Sequence, residues 1–519
     1  METQSFWEAT ISKRTEYPSL EGNIEVDVAI IGGGITGITT AQRLTSAGKK
    51  VAVLEARRIG GGTTGWSSGN LYVPVSPYYQ TIRSNRDVQT IQTIAEARSA
   101  ALDFIELQST SKNIDCHFSR RPWYYYTYED KMAAQIESEA VALREAGLQP
   151  ELVDEVPPLH KSDIKKALRL DGQARFHPLR YVLGLAENVA SHGGQLYEYT
   201  TVYDYKEEEE YCIVKTTNGT VKASQVVVAT HLPIGVHTVH TVAGPYRSYA
   251  IAVKLKGEYP DAYFWHNDGI HKTITTHGSE SKDLDILMVV GNHHKTGQAS
   301  DQEYQHYFKE LEDYARKAFD VASVEYRWSA QHYRSGDGVP YIGQTHIGAA
   351  GLPTMDSKRT YMATSYDADG LTYGTVAGMH ISDLILGQEN PAWVDAFNPT
   401  RIASLSTVTE FIKENANVAL QYIKGNPFTA DVSEFDEIQK GEGKTIKVNG
   451  EKLAAYRDEQ NQLHVCSAIC PHLLCTVNWN NAEKTWDCPC HGSRFMIDGT
   501  VIEGPAIHNL EKKDIPAKQ

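Results

Sequence analysis

Val26-Asp27-Val28-Ala29-Ile30-Ile31-Gly32-Gly33-Gly34-Ile35-Thr36-Gly37 is an apolar run that meets a glycine-rich turn and then a helical stretch to Ala47. Gly32 permits a sharp turn, Gly34 lets the backbone approach a pyrophosphate, and Gly37 allows a helix to pack closely on the strand. The helix N-terminus, with Ile35 and Thr36, is then expected to face an anion. A second apolar strand, Lys50 to Leu54, ends in Glu55. Its carboxylate falls about twenty residues past the glycines, where it can accept hydrogen bonds from a ribose. This is the opening of a dinucleotide-binding fold.

More of the chain agrees. Ala56-Arg57-Arg58-Ile59-Gly60-Gly61-Gly62-Thr63-Thr64-Gly65 resembles the second cofactor loop of the D-amino-acid oxidase superfamily, which binds FAD. The strand Tyr361 to Thr364 leads into Gly370-Leu371-Thr372-Tyr373-Gly374 and a helix closed by Gly387, similar to that superfamily's closing motif. The resemblance implies a helix N-terminus aimed at the flavin pyrimidine, where negative charge develops on reduction. The FAD contacts it implies are Gly32, Gly34, Ile35, Thr36, Gly37, Glu55, Ala56, Arg57, Thr63, Thr64, Val202, Gly370, Thr372 and Gly374. Relatives that bind flavin covalently carry Trp-His where this chain has Trp66-Ser67, and a serine cannot make that bond, so non-covalent FAD is expected. His231 follows Ala229-Thr230 where relatives carry Gly or Asn, and a local turn adjustment is the expected reason.

At the other end, Cys470-Pro471-His472-Leu473-Leu474-Cys475 is followed, after Thr485-Trp486-Asp487, by Cys488-Pro489-Cys490-His491-Gly492-Ser493. Two Cys and two His suit a [2Fe-2S] centre in which thiolates hold one iron and imidazoles the other. Each pair must bind from one tight loop, which assigns Cys470, His472, Cys488 and His491. Tetrahedral zinc accepts the same donor set, although it leaves Cys475 and Cys490 without a purpose. The pattern resembles the Rieske proteins of quinol-oxidising cytochrome complexes. That resemblance implies a Cys475–Cys490 disulfide clamping the loops, a Ser493 hydroxyl donated to cluster sulfur, and a proline loop at Gly504-Pro505-Ala506. Relatives with high potential have Tyr where this chain has Phe495, so a lower potential is expected.

At 519 residues the chain is too long for one core. A formal net charge of -15 argues against a nucleic-acid partner. No run of eighteen apolar residues appears, so no membrane span is expected, and the polar stretch Met1 to Pro18 lacks a secretory core, which suggests a cytoplasmic location. Five of the seven Cys fall between Cys466 and Cys490, a clustering that means metal, whereas Cys116 and Cys212 read as buried small hydrophobes.

The expected fold class is α/β: a Rossmann-like FAD-binding domain with a sheet-based substrate domain, followed by a small all-β Rieske domain. The oxidoreductase part spans 1–400, with FAD-binding segments at about 24–87, 171–244 and 327–400. Insertions at about 88–170 and 245–326 are expected to build the sheet that roofs the substrate cavity. Trp123 to Tyr128 and Ile286 to Val290 are strands in it, and His177-Pro178 precedes a helix leading back. Residues 401–425 form a linker, in which Leu405 to Lys424 reads as a docking helix or a free linker helix. Residues 426–519 form the Rieske domain, with strands at Thr445–Val448, Leu453–Tyr456 and Leu463–Cys466.

Superfamily resemblance implies oxidation of a C–N bond in a small amine or amino acid. A hydride carries two electrons and the iron centre accepts one, so the pair must be split and exported to a downstream acceptor. An oxygen-using oxidase with a structural cluster, or an electron-transfer reductase without its own small substrate, are the alternatives. Glycine-oxidase-like relatives place a carboxylate-clamping Arg four residues after a Trp; here Trp328 is followed at that spacing by His332. His332, Arg334, Tyr249 and Tyr366 are the cavity candidates, and no acid or base is assigned.

Overall fold

The computed structural model describes residues 3–156, 163–235, 238–268, 271–277, 285–347, 355–401, 415–421 and 430–514. The strand Gly22–Ile31, the helix Ile35–Ser46 and the strand Val51–Leu54 form one crossover unit, with the two strands parallel and Val28 opposite Val51. From Val28 to Ile31 the first strand has no wet face. Val28 and Ile30 enter one core while Val26, Ala29 and Ile31 enter another, as expected of a parallel sheet covered on both sides. Across this sheet the order is Tyr341–Ile347, Met355–Thr364, Gly219–Val228, Gly22–Ile31, Val51–Leu54 and Gln195–Tyr197. All neighbours are parallel except the first pair. The cofactor sheet is thus assembled from three separated stretches of chain.

The intervening stretches build a second, nine-stranded sheet. Its strands run Val321–Arg334, Gly244–Leu255, Ile286–Lys295, His271–His277, Tyr263–Asn267, Ser119–Thr127, Lys166–Arg175 and Asn70–Leu71, with Glu151–Val153 beside Lys166–Arg175. One face packs Trp123, Tyr125 and Trp265 toward the cofactor domain, and the other packs Tyr124, Tyr249 and Phe264 with Phe308 and Leu311 of the helix Asp301–Ala318. Pairing with Gly244–Leu255 keeps the chain in this sheet as far as Arg334, beyond the boundary near 327 that motif spacing suggests. His177-Pro178 opens the helix Pro178–Ser191 as expected, and the structure adds a cap, the His177 Nδ1 accepting from the Arg180 amide at 3.2 Å.

The C-terminal unit holds the antiparallel strands Glu442–Val448, Glu451–Arg457 and Leu463–Ser467, and a second sheet built from Asn478–Asn480, Thr485–Asp487, Arg494–Phe495 and Val501–Glu503. The expected linker helix lies partly outside the described residues. Its described part, 415–421, is helical, and it touches both sides: Asn415 donates to the Thr241 carbonyl while Val418 packs on the cluster domain's core. Among the described residues no helix is long and apolar enough to cross a membrane.

Candidate redox site

The glycine turn behaves as its sequence demands. Gly32 has φ 108° and a Cβ there would lie 2.4 Å from the Ala229 carbonyl oxygen, while one on Gly37 would lie 1.9 Å from the Gly32 carbonyl oxygen. Glu55 accepts from the Gly33 amide at 2.8 Å and the Arg57 amide at 2.9 Å, which fixes its carboxylate at the mouth of the turn. Thr64 Oγ1 accepts from the Ile35 amide at 3.1 Å. Two helix starts converge here, at Gly34 and at Asp369, and neither N-cap residue makes a side-chain capping bond. Open helix N-termini suit phosphate and a developing flavin anion. Asn70, next to the cofactor loop, is buried with neither amide atom hydrogen-bonded among the described residues. These features fit a bound dinucleotide.

Other expected contacts take up packing. Gly374 lets the helix Gly370–Leu386 approach the helix Ile35–Ser46, since a Cβ would lie 2.8 Å from Ile35 Cγ2 and 2.9 Å from Thr36 Oγ1. Thr372 is buried in the same helix, and Val202 lies in the core behind the sheet with Cys212 and Val214. Ser67 donates to the Thr64 carbonyl at 2.8 Å. His231 takes φ 70° in a turn, as anticipated, and its Nδ1 also meets Thr63 Oγ1 at 3.2 Å.

Buried histidines gather on the inner face of the second sheet. His332 stacks on Tyr246, and its Nδ1 lies 3.3 Å from Ser248 Oγ, which contacts His293 Nδ1 at 2.6 Å. His271 lies farther along the face, bonded to the Tyr78 hydroxyl at 2.9 Å. Burial, reinforced by the charge of Arg334, holds His332 and His293 well below the ordinary imidazole range; burial alone dominates at His271, pushed down to about 3. All three are neutral at pH 7. Arg334 lies over the Tyr246 ring and pairs with Asp367 at 3.2 Å. Tyr366 bonds to Thr36 Oγ1 at 3.0 Å, tying it to the cofactor helix instead. Tyr249 must be removed from this group. It pairs with Ser329, so it shares the opposite face and is packed against Tyr307 and Phe308. Sequence reading missed Ser248, His271 and His293, because only strand register brings them beside His332.

The cluster loops are tight and buried. Cys470 accepts from the Leu474 amide at 3.0 Å and Cys488 from the Gly492 amide at 3.1 Å, both through their carbonyls. Cys475 and Cys490 form a disulfide that clamps one loop to the other. The sulfurs of Cys475, Cys488 and Cys490 lie within 4.8 Å of one another, but the disulfide removes two of them as ligands. Cys470 and Cys488 remain as buried thiols. The rings of His472 and His491 stand 5.1 Å apart. Ser493 Oγ accepts from the Ala506 amide at 3.0 Å, which leaves its proton to be donated. A pair of thiols, a pair of imidazoles and a hydroxyl donor fit an iron–sulfur centre better than a zinc ion, which has no use for the clamp.

The imidazole side of this unit faces the cofactor domain. His472 Nε2 meets the Gly235 carbonyl at 3.1 Å, and the Tyr333 hydroxyl donates to the His491 carbonyl at 3.2 Å. Gln331 Nε2 donates to the Gly492 carbonyl at 2.8 Å.

A family model described as FAD dependent oxidoreductase matches residues 27–384, and one described as Rieske [2Fe-2S] domain matches 429–514. The chain is 32% identical over 517 residues to the putative Rieske 2Fe-2S iron-sulfur protein YhfW of Bacillus subtilis (strain 168), covering 99% of this chain and 98% of that one. It is 29% identical over 237 residues to gamma-glutamylputrescine oxidoreductase of Escherichia coli (strain K12), covering 45% of this chain and 55% of that one. Glycine oxidase from Geobacillus kaustophilus shares the fold, with a TM-score of 0.60 at 18% identity over 73% of this chain and 100% of that one. The chain therefore belongs to the FAD dependent oxidoreductase family, carries a C-terminal Rieske [2Fe-2S] domain, and is an oxidoreductase whose cofactors are FAD and a [2Fe-2S] cluster.

Proposed function

We propose that the protein is a dehydrogenase that oxidises a C–N bond of a small amine or amino acid and passes the electrons singly to its own cluster, and from there to a downstream acceptor. One strand carries this reading. Val321–Arg334 presents His332 and Arg334 to the inner sheet face, while Gln331 and Tyr333 point the other way and reach the His491 loop. Substrate side and cluster side are therefore the two faces of a single strand. The names of two relatives, glycine oxidase and gamma-glutamylputrescine oxidoreductase, specify amine-bearing compounds for those proteins and support the same substrate class here.

Bound FAD supplies a hydride acceptor, and the cluster supplies a one-electron acceptor. Gly32, Gly34, Ile35, Thr36, Glu55, Thr63 and Thr64 would hold the dinucleotide, without a covalent bond from Ser67. Cys470 and Cys488 would hold one iron and His472 and His491 the other, with Ser493 donating to cluster sulfur. His332 Nε2 has no hydrogen-bond partner among the described residues and lies 3.6 Å from Asp367 Oδ1. A neutral ring so placed can accept a hydrogen bond from a substrate amine and orient it beside that carboxylate. With His332 where relatives carry the clamping Arg, the charge offered to a substrate carboxylate falls to Arg334, already paired with Asp367. Anaerobic mixing with a panel of small amines and amino acids tests the substrate class: at least one must bleach the flavin, and a panel without effect would refute the assignment.

A further inference from the structure

We infer that a largely buried five-charge network holds the cluster domain in one fixed pose on the flavoenzyme, with Glu503 as the positioning residue for electron transfer between the cofactors. The inference rests on the electron-transfer reading above. Arg247, in the strand Gly244–Leu255, is fully buried. Its Nη2 meets Glu483 at 2.6 Å, its Nη1 lies 3.8 Å from Glu503 Oε2, and its Nε donates to Ser329 Oγ at 3.0 Å. Arg494 of the cluster domain contacts the same two carboxylates at 2.8 and 3.6 Å and adds Asp487 at 3.0 Å. Two guanidiniums thus share two carboxylates, Arg494 holds a third, and only Arg247 comes from the flavoenzyme.

Glu503 joins this network to both cofactor sites. Its Oε1 lies 3.5 Å from Thr63 Oγ1 in the cofactor loop and 3.5 Å from His231 Nδ1. One residue later, the Gly504 carbonyl accepts from the Tyr333 hydroxyl at 3.4 Å, and the Ala506 amide reaches Ser493 beside the ligand loop. Burial alone would raise the Glu503 pKa. The His231 contact and the guanidiniums of Arg494 and Arg247 outweigh it and bring the carboxyl down to about 2, so the charge is permanent.

Buried ion pairs add little net stability over apolar packing, yet removing one partner strands a charge in a dry site. They therefore specify geometry. Were the cluster domain to swing away in each cycle, Arg247 would lose every carboxylate the network gives it while remaining walled in by its own sheet. Fixed docking avoids that state.

The test uses the full-length holoprotein. Pulse photoreduction with deazaflavin and EDTA delivers an electron to the flavin, and absorbance follows its passage to the cluster. In the wild type the rate is expected to be independent of glycerol viscosity. In Glu503→Gln and Glu483→Gln, with cofactor content and midpoint potentials matched, it is expected to fall severalfold, since through-protein electron transfer weakens steeply with cofactor separation. Glu503→Asp is expected to recover part of the rate. A wild-type rate that falls with viscosity, or variants that transfer as fast as the wild type, would overturn the inference. Hydrogen exchange keeps the two claims apart: no transfer in the wild type refutes the electron-transfer reading, whereas unaltered exchange across 483–494 in Glu503→Gln refutes the clasp.

Discussion

Tyr333 donates its hydroxyl proton to the backbone carbonyl of His491 at 3.2 Å, while the next residue back, His332, points to the opposite face of the strand among buried imidazoles. Tyr333→Phe removes that donor and the longer bond to the Gly504 carbonyl. Gln331 keeps its bond to Gly492, so the domain stays docked but loosens by about 1 kcal/mol. The cluster's loss temperature, followed by visible absorbance, is expected to drop by a few degrees, and an unchanged midpoint would show that the hydroxyl contributes nothing.

His491→Ala should abolish the visible cluster spectrum and leave FAD bound, because the flavin cradle at Gly32, Glu55 and Thr64 shares no backbone with the ligand loop. Metal analysis and flavin release on denaturation read the two separately. Loss of both chromophores would contradict separately assembled sites.

Glu55→Ala removes the acceptor for the Gly33 and Arg57 amides as well as the expected ribose partner. FAD affinity should weaken by about 1–3 kcal/mol, roughly five- to 150-fold in Kd. Titration of the apoprotein measures it, and wild-type affinity would remove Glu55 from the cradle.

Glu139 accepts from the Tyr79 and Gln80 amides at 3.0 Å each, anchoring the short helix that follows Tyr78, whose hydroxyl reaches His271. Burial raises its carboxyl to about 7, against the opposing pull of those two amides. A raised folded-state value means stability is fully present below about pH 4.5 and is lost as pH climbs through 7, by ~3 kcal/mol at most. Glu139→Gln cannot titrate. Its melting temperature relative to wild type should therefore rise between pH 5 and 8, and a constant difference would count against the assignment.

Much of this was legible because it is local. Gly37 answers a backbone demand made within its own turn, by the Gly32 carbonyl oxygen, and the cysteines and histidines sit in two short loops whose spacing is a ligand pattern. What depends on register was not. Tyr249 looked like a cavity residue until its pairing with Ser329 placed it on the wrong face, and His271, His293 and His332 converge from three different strands. Arg247 and Glu483 lie 236 positions apart, and neither stretch carries a signal for the other. Long-range ion pairing leaves no periodicity to read.

Anaerobic stopped-flow mixing with an amine that bleaches the flavin tests the central claim most directly. The account predicts that flavin absorbance falls first and the cluster spectrum follows within the same turnover, giving a half-spin resonance in frozen samples without any added carrier. A flavin that is fully reduced beside a cluster that stays oxidised would contradict it.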